Sequence, residues 1–353
     1  MAGNSTHDAP TLSVVINNHN YAQYLREAVD SAVAQLAPGD EVVVVDDGST
    51  DESQAVLSSL RRVPQVRVIE QENQGQLAAV FNGLAAARGD VCLLLDSDDY
   101  FLAGYLARVR TLFQHHPAVD FIFSAPFVAG ASAHAVDSIQ RTVSAMALPE
   151  GETGLTRWGV WVAGEFVGTP TSGLALRRSL AERFLKVRHQ LPDYFPLNRH
   201  IRKWLVSTDR HTATRISADG LLVRGSSICG ARKYCCNEPG FYYRIHGSNA
   251  FATLGRVARI YLRMSRSRQV ARLACAAFQL RSPPTVEEVL SEARQRSVPL
   301  RWRRRARLTV NYQWAVWLAE GGLWVKLRGQ FAVLGRFFFS AQPASQAPDG
   351  SQE

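Results

Sequence analysis

Cysteine is scarce in this chain, with five in 353 residues, and Cys235 and Cys236 are adjacent. They form no C-x-x-C pair and no Cys/His spacing suited to zinc, so a disulfide-stapled scaffold and a zinc module are excluded. A reducing cytosol is the expected compartment. The start, MAGNSTHDAP, leads into no apolar h-region, so no secretory leader is expected. The aromatic-rich stretch near the carboxyl end is cut by Glu320, Lys326, Arg328 and Arg336. It falls short of the ~18 apolar residues that a spanning helix needs. No G-x-G-x-x-G follows the first predicted strand, so the usual dinucleotide fingerprint is missing. Internal repeats are absent as well.

What is present is an ordinary globular composition with an uneven charge. Hydrophobic residues make up 46% and charged residues 20%, which excludes both wholesale disorder and a polytopic membrane protein. The length allows two or three domains at ~150 residues each. Residues 255–340 carry seventeen basic side chains, sixteen of them arginine, against four acids, and so hold +13 of the formal +9. Residues 1–254 come to −2 and the last thirteen residues to −2. A nearly neutral body precedes a strongly basic region, and the two are expected to meet different partners.

From residue 11 onward, short β-branched runs alternate with helical stretches, the pattern of an α/β sheet with parallel strands. Strands are predicted at Leu12 to Ile16, Glu41 to Val45, Val66 to Ile69, Val91 to Leu95 and Phe121 to Phe123. Helical spacing covers Tyr24 to Leu36, Glu52 to Leu60, Gln76 to Arg88 and Gly104 to His115. Residues 125–157, rich in Ala, Ser and Gly, read as a connection. After Tyr243 the chain turns helical and Arg-rich, Pro283 and Pro284 interrupt it, and Thr285 with Glu288 offers a capping box. The expected organisation is a disordered 1–10, a catalytic domain over 11–254 with halves at 11–124 and 125–254, a basic helical region over 255–341 and a disordered 342–353.

The chemistry gathers where strands end. The second strand runs into Asp46-Asp47-Gly48-Ser49-Thr50-Asp51, and the fourth into Asp96-Ser97-Asp98-Asp99. In an open α/β sheet, ligands bind beyond the carboxyl ends of the strands, so acids there point at a ligand. Such residues also close turns and cap helices, which leaves the first cluster open to either reading. Three carboxylates within four residues repel one another unless a cation or hydrogen-bond donors stand nearby. A hard divalent ion, Mg²⁺ or Mn²⁺, is their natural partner.

The stretches SVVINNHNYAQYLREAVDSAVAQ, EVVVVDDGSTDES and QENQGQLAAVFNGLAAARGDVCLLLDSDDYF resemble the nucleotide-sugar domain of glycosyltransferase family 2. GTPTSGLALRR, ADGLLVRGSSICG and FYYRIHGSNA resemble later parts of the same family, so the resemblance covers about 11–250. It implies the GT-A fold, a Rossmann-like mixed sheet flanked by helices, and inverting transfer of a sugar from a nucleotide-diphosphate donor. By this resemblance Asp47 accepts a hydrogen bond from the donor's base, Asp46 supports the turn, Asp96 lies near the ribose, and Asp98 meets a metal that bridges the phosphates. Asp99 could share either role. Asn17-Asn18-His19-Asn20 stands where Pro-x-Tyr-Asn is common; His19 could still stack on a base ring, with Asn17 beside it at the donor site.

Inversion requires a base opposite the leaving group, from a segment other than the D-x-D. Asp219 is the candidate by resemblance, although Ala218 stands where Glu is frequent, and Asp209 is the second choice. Asp219-Gly220 would otherwise be an ordinary turn. Arg244 would serve the diphosphate and His246 the metal. Gly168 to Gly173 reads either as a plain loop or as small residues that let an acceptor approach the backbone.

Arg301 to Arg307 and the following tryptophans and phenylalanines, through residue 339, suit an amphipathic helix on an anionic membrane surface. Packing on the catalytic domain or on a second copy is the other reading. Without a recognised nucleic-acid module, no nucleic-acid partner is expected. The resemblance implies a role in building a surface polysaccharide or lipid-linked glycan, at the inner face of the cell membrane. A nucleotidyltransferase would want a Gly-rich, Lys-bearing loop where Asn17 to Tyr21 stands. A non-catalytic nucleotide-sugar or membrane-surface binding protein is the alternative from another class.

Overall fold

Valine-rich runs that end in acids build the first half of the molecule. They form β1 (Leu12–Asn18), β2 (Glu41–Asp47), β3 (Val66–Gln71) and β4 (Val91–Asp96), joined through helices α1 (Ala22–Val33), α2 (Ser53–Leu60) and α3 (Gln76–Ala86). These four strands are parallel, in the order β3-β2-β1-β4. The computed structural model describes residues 9–130, 136–137, 140, 148–191, 216–246, 269–280, 283–299 and 301–337. The expected tail over 342–353, most of the expected 1–10 terminus and Asp209 lie outside the described residues.

The chain continues through β5 (Tyr100–Phe101), α4 (Tyr105–His115), β6 (Phe121–Gly130), β7 (Gly151–Glu152), α5 (Arg157–Ala163), β8 (Leu174–Arg177), α6 (Arg178–Val187), α7 (Ala218–Ile228) and β9 (Lys233–Ile245). They extend the sheet to β3-β2-β1-β4-β8-β6-β9-β5, with β7 paired to β9. The sheet is mixed, as the GT-A expectation requires: β8 lies antiparallel to both β4 and β6. A purely parallel reading fails at β8, whose four residues are too few to carry a visible period. The expected connection over 125–157 is also partly strand. Past an irregularity at Ser124 and Ala125, β6 runs on beside β9 as far as Gly130. Small residues and Pro126 hide that extension in the sequence. Asp219, which could have closed a turn, stands instead in the first turn of α7.

Alternation along the strands divides the core between the two faces of the sheet. Leu12, Val14, Ile16, Leu93 and Leu95 pack with Leu25, Leu57 and Phe113 of α1, α2 and α4. Val15, Cys92 and Leu94 pack on the other face with Phe81, Phe184 and Leu222 of α3, α6 and α7. Strands covered on both sides in this way read as unbroken apolar runs, as VVVV and VCLLL do.

The basic region supplies α8 (Val286–Gln295), α9 (Trp302–Leu318) and α10 (Leu323–Phe337). The expected capping box is formed, with the Thr285 hydroxyl accepting from Glu288 N and the Glu288 carboxylate accepting from Thr285 N. The three helices enclose their own core of Val289, Tyr312, Val316, Val333 and Phe337, into which α5 inserts Trp158. A polar seam joins this core to the body. The buried Glu292 carboxylate accepts from Trp158 N (2.8 Å) and from the Tyr312 hydroxyl (2.5 Å). Arg296, also buried, pairs with Glu165 at 2.9 Å.

Burial raises the Glu292 carboxyl, and the Tyr312 hydroxyl is one of the groups that restrain the rise. Tyr312→Phe removes that donor inside a dry seam. The expected loss is about 1–3 kcal/mol, the cost of leaving a buried acceptor short of a partner. Urea unfolding of both proteins measures it.

Candidate active site

Three neighbouring strands end in polar residues at one edge of the sheet. Register sets Asn18 opposite Asp46 and Asn17 opposite Asp96, so the ends of β2, β1 and β4 converge. Behind them the strands are apolar and buried, which leaves this edge for chemistry.

The turn after β2 is held by its own acids. Asp46 accepts from Asn18 Nδ2 (2.7 Å), Ser49 N (3.0 Å) and the Ser49 hydroxyl (2.6 Å). Asp47 accepts from Gln74 N and Gln71 Nε2 at 2.8 Å each and from Gly75 N at 2.7 Å. With about four acceptor positions on a carboxylate, Asp47 keeps room for one further donor. Gly48 has φ +66, and a Cβ there would stand 2.8 Å from Asn73 N. Glycine alone fits that approach without displacing the backbone of the 71–75 segment. His19 lies over the turn, its Nδ1 2.8 Å from Asp47 O and its Nε2 3.0 Å from Asn73 Nδ2. That pairing fits a tautomer with the proton on Nδ1.

The second cluster is tighter. Ligand atoms of Asp96, Asp98 and Asp99 all lie within 4.8 Å of one another. Asp96 accepts from Gln76 Nε2 at 2.8 Å. Asp98 Oδ2 meets His246 Nε2 at 2.9 Å, and Tyr21 and Tyr24 flank that imidazole. Asp99 is buried; it accepts from the Ser172 hydroxyl (2.6 Å) on one oxygen and from Arg244 N (2.9 Å) on the other. The Arg244 guanidinium donates to Asp98 O at 2.9 Å, pairs with Glu27 and lies 4.6 Å from the centre of the Tyr24 ring. It therefore clasps the D-x-D turn onto β9 and α1.

Burial is the largest influence on these acids, and crowding adds to it. The Asp96 carboxyl is pushed up to about 7, by burial first, then by Asp98 and, more weakly, by Asp219. Asp99 is held well above the ordinary carboxyl range by burial and by the charges of Asp98 and Asp96. Asp219 stands in the first turn of α7. Asp219 itself accepts from Gly220 N at 2.6 Å.

These residues fit a hard divalent ion. The donors are carboxylate oxygens with one imidazole nitrogen, and a cation would relieve both the burial and the mutual repulsion that raise the carboxyls. Asn17 Oδ1, at the same strand ends, is buried with no hydrogen-bond partner among the described residues.

Within Gly168 to Gly173, the backbone at Gly173 is closed off by its neighbours. A Cβ at Gly173 would stand 2.5 Å from Thr169 Oγ1, 2.6 Å from the Phe241 ring and 2.7 Å from Ser124 O. The segment instead brings Ser172 beneath the acids, where its hydroxyl accepts from Asp96 N at 3.1 Å while donating to Asp99. Sequence reasoning also passed over Gln76, Glu27, Tyr24 and Asn20. Asn20, at φ +60, accepts from Thr50 N at 2.7 Å through its side chain. An asparagine directly after a strand, where left-handed backbone is tolerated, was the available signal for it.

The sequence model of "Glycosyl transferase family 2" matches residues 13–184. An uncharacterized glycosyltransferase of Nostoc sp. is 33% identical over 240 residues, which is 67% of this chain and 66% of that protein. This chain belongs to glycosyltransferase family 2. The expected family is thus borne out, and its model matches within the expected 11–254. Glycosyltransferase GlyG of Streptococcus pneumoniae is 38% identical over 29% of this chain and 34% of that protein. Chondroitin synthase of Pasteurella multocida is 37% identical over 27% of this chain and 10% of that protein. The chain thus spans just under two thirds of the Nostoc protein's length, about a third of GlyG and a tenth of the chondroitin synthase. Solved structures of S. aureus TarS, one in complex with UDP-GlcNAc, cover 93% of this chain and 73% of that one at 16% identity and a TM-score of 0.46. At that level the likeness decides nothing about ligands.

The matched family 2 stretch holds both acidic clusters and Ser172. Asp219, Arg244 and His246 come after residue 184, and of these Arg244 and His246 meet the D-x-D directly.

Two outcomes are expected from this geometry. An Asp96 carboxyl raised from 3.8 to about 7 keeps a proton in the folded protein that the unfolded chain has lost. Metal-free stability should therefore decline as pH rises across that interval, and Asp96→Asn should flatten this part of the slope in urea unfolding with chelator present. Ser172→Ala leaves Asp96 N and Asp99 each short of a partner. It should destabilise the fold by about 1–3 kcal/mol, read as a lower urea midpoint at constant slope.

Proposed function

We propose that this family 2 protein is a metal-dependent, inverting glycosyltransferase that moves a sugar from a nucleotide-diphosphate donor to a glycan or lipid-linked acceptor. The observation that carries the reading is the cluster of Asp96, Asp98 and Asp99 at the end of β4, to which this reading adds Asp219, at the start of α7, as a second acidic group. A donor's diphosphate belongs with the first group and an acceptor hydroxyl with the second.

Asp47 and Asn17, at the ends of β2 and β1, receive the nucleoside, with His19 over the base and Asp46 keeping their turn in shape. Asp96 meets the ribose. Asp98, Asp99 and His246 would hold Mn²⁺ or Mg²⁺, which would supply positive charge to the departing diphosphate. Arg244 fixes the turn on which Asp98 stands and adds a cation beside the phosphates. Asp219 takes the proton of the acceptor hydroxyl as its oxygen bonds to the anomeric carbon and the bond from that carbon to the diphosphate breaks. Attack from the Asp219 side, opposite the leaving group, inverts the anomeric centre. Work at the inner face of the cell membrane on a surface polysaccharide or lipid-linked glycan suits such an enzyme.

Donor cleavage by the purified chain across UDP-, GDP- and dTDP-sugars, with Mn²⁺, Mg²⁺ or chelator, tests the reading. One donor class should be cleaved only with metal. Asp98→Asn should abolish the metal response, while Asp219→Asn should keep nucleotide affinity and lower transfer by ~10²-fold or more. Metal-dependent nucleotide binding with no turnover on any donor, even with membrane lipid extract as acceptor source, would instead indicate a binding protein.

A further inference from the structure

The hairpin of α9 and α10 is apolar on two sides. Its inner side is used, since Leu308, Tyr312 and Val316 of α9 and Gly329, Val333 and Phe337 of α10 face the carboxyl core. A helix pair with one packing partner needs no second apolar face. Yet Val310, Trp314 and Trp317 recur at i, i+4 and i+7 along α9 and are exposed. Arg303 and Arg307 continue the same stripe toward the start of the helix, also exposed. On α10, Trp324 and Phe331 are 79% and 74% exposed, with Arg328 between them on that face. Between the helices runs a shallow groove of about 340 Å³, lined by Val310, Gln313, Trp314, Trp317 and Gln330.

Charge selects the occupant. Residues 301–337 contain seven arginines and one lysine against Glu320 alone. A second copy seated on this face in a two-fold contact would set one cationic hairpin against another, which is repulsive. Tryptophan and phenylalanine set among arginines match a surface whose polar layer is anionic and whose interior is apolar. The helices have 17 and 15 residues, and no helix among the described residues is long and apolar enough to cross a membrane. They are suited to lying on one.

We infer that the outer face of the α9–α10 hairpin docks on an anionic lipid surface, its tryptophans and Phe331 entering the headgroup layer and its arginines meeting lipid phosphates. This does not depend on the transferase reading, because none of these side chains is placed in the cleft.

The test uses the full chain with vesicles of phosphatidylcholine, with and without phosphatidylglycerol. Sedimentation should show binding to the anionic vesicles that weakens with salt, and brominated lipid should quench tryptophan fluorescence. Trp324→Ser combined with Phe331→Ser, both at exposed positions, should lower partitioning by about tenfold or more. Arg303→Glu combined with Arg307→Glu should do the same. Donor cleavage with a soluble acceptor should be unchanged in both variants, so failure of docking and failure of the transferase reading are told apart. Three results would overturn the inference: no binding to anionic vesicles at low salt; binding without quenching that the aromatic variant leaves intact; or self-association of the chain that the aromatic variant abolishes.

Discussion

Burying β1, β2 and β4 on both faces is the constraint on which the rest depends. Strands covered by helices above and below tolerate few polar side chains along their length, so polar groups collect where the strands end. The parallel run of β2, β1 and β4 brings three such ends together at one edge. Carboxylates there stand at the border of a low-dielectric interior, and the rise of Asp96 and Asp99 follows from that position. The same burial that stabilises the sheet thus makes its edge suited to a cation.

The surrounding elements restrain that edge more than they add to its chemistry. Ser172 ties the Asp96 backbone to the Asp99 carboxylate, Arg244 ties the D-x-D turn to β9, and Glu27 on α1 holds Arg244. Each of these comes from a different part of the chain. Three acids crowded at the end of β4 would spread apart if their backbone could move, and these cross-ties oppose it.

Much of this was legible in the sequence because it rests on short-range signals. An apolar run followed by D-D-G-S-T or D-S-D-D marks both a strand and the chemistry at its end, and the capping box at Thr285 is contained in four residues. Ser172 was not legible in the same way. Its partners lie 76 and 73 residues away, and its neighbours Thr171 and Gly173 suggest only a loop. The antiparallel β8 was hidden for a related reason, since four residues paired on both sides leave no pattern of their own. The two readings of the carboxyl region were not exclusive. Tyr312 and Phe337 pack inward while Trp314, Trp324 and Phe331 face water, and residue type alone does not tell which aromatic goes which way.

The seam of Trp158, Glu292 and Tyr312 has a mechanical consequence. A joint made of exposed ion pairs could hinge, because water would replace each contact as it opened. Here Glu292 and Arg296 are buried, and parting the two bodies would strand a carboxylate and a guanidinium away from their partners. The carboxyl helices therefore behave as a rigid outrigger. Any surface that grips them also sets the bearing of the strand-end site, and so the direction from which that site is approached.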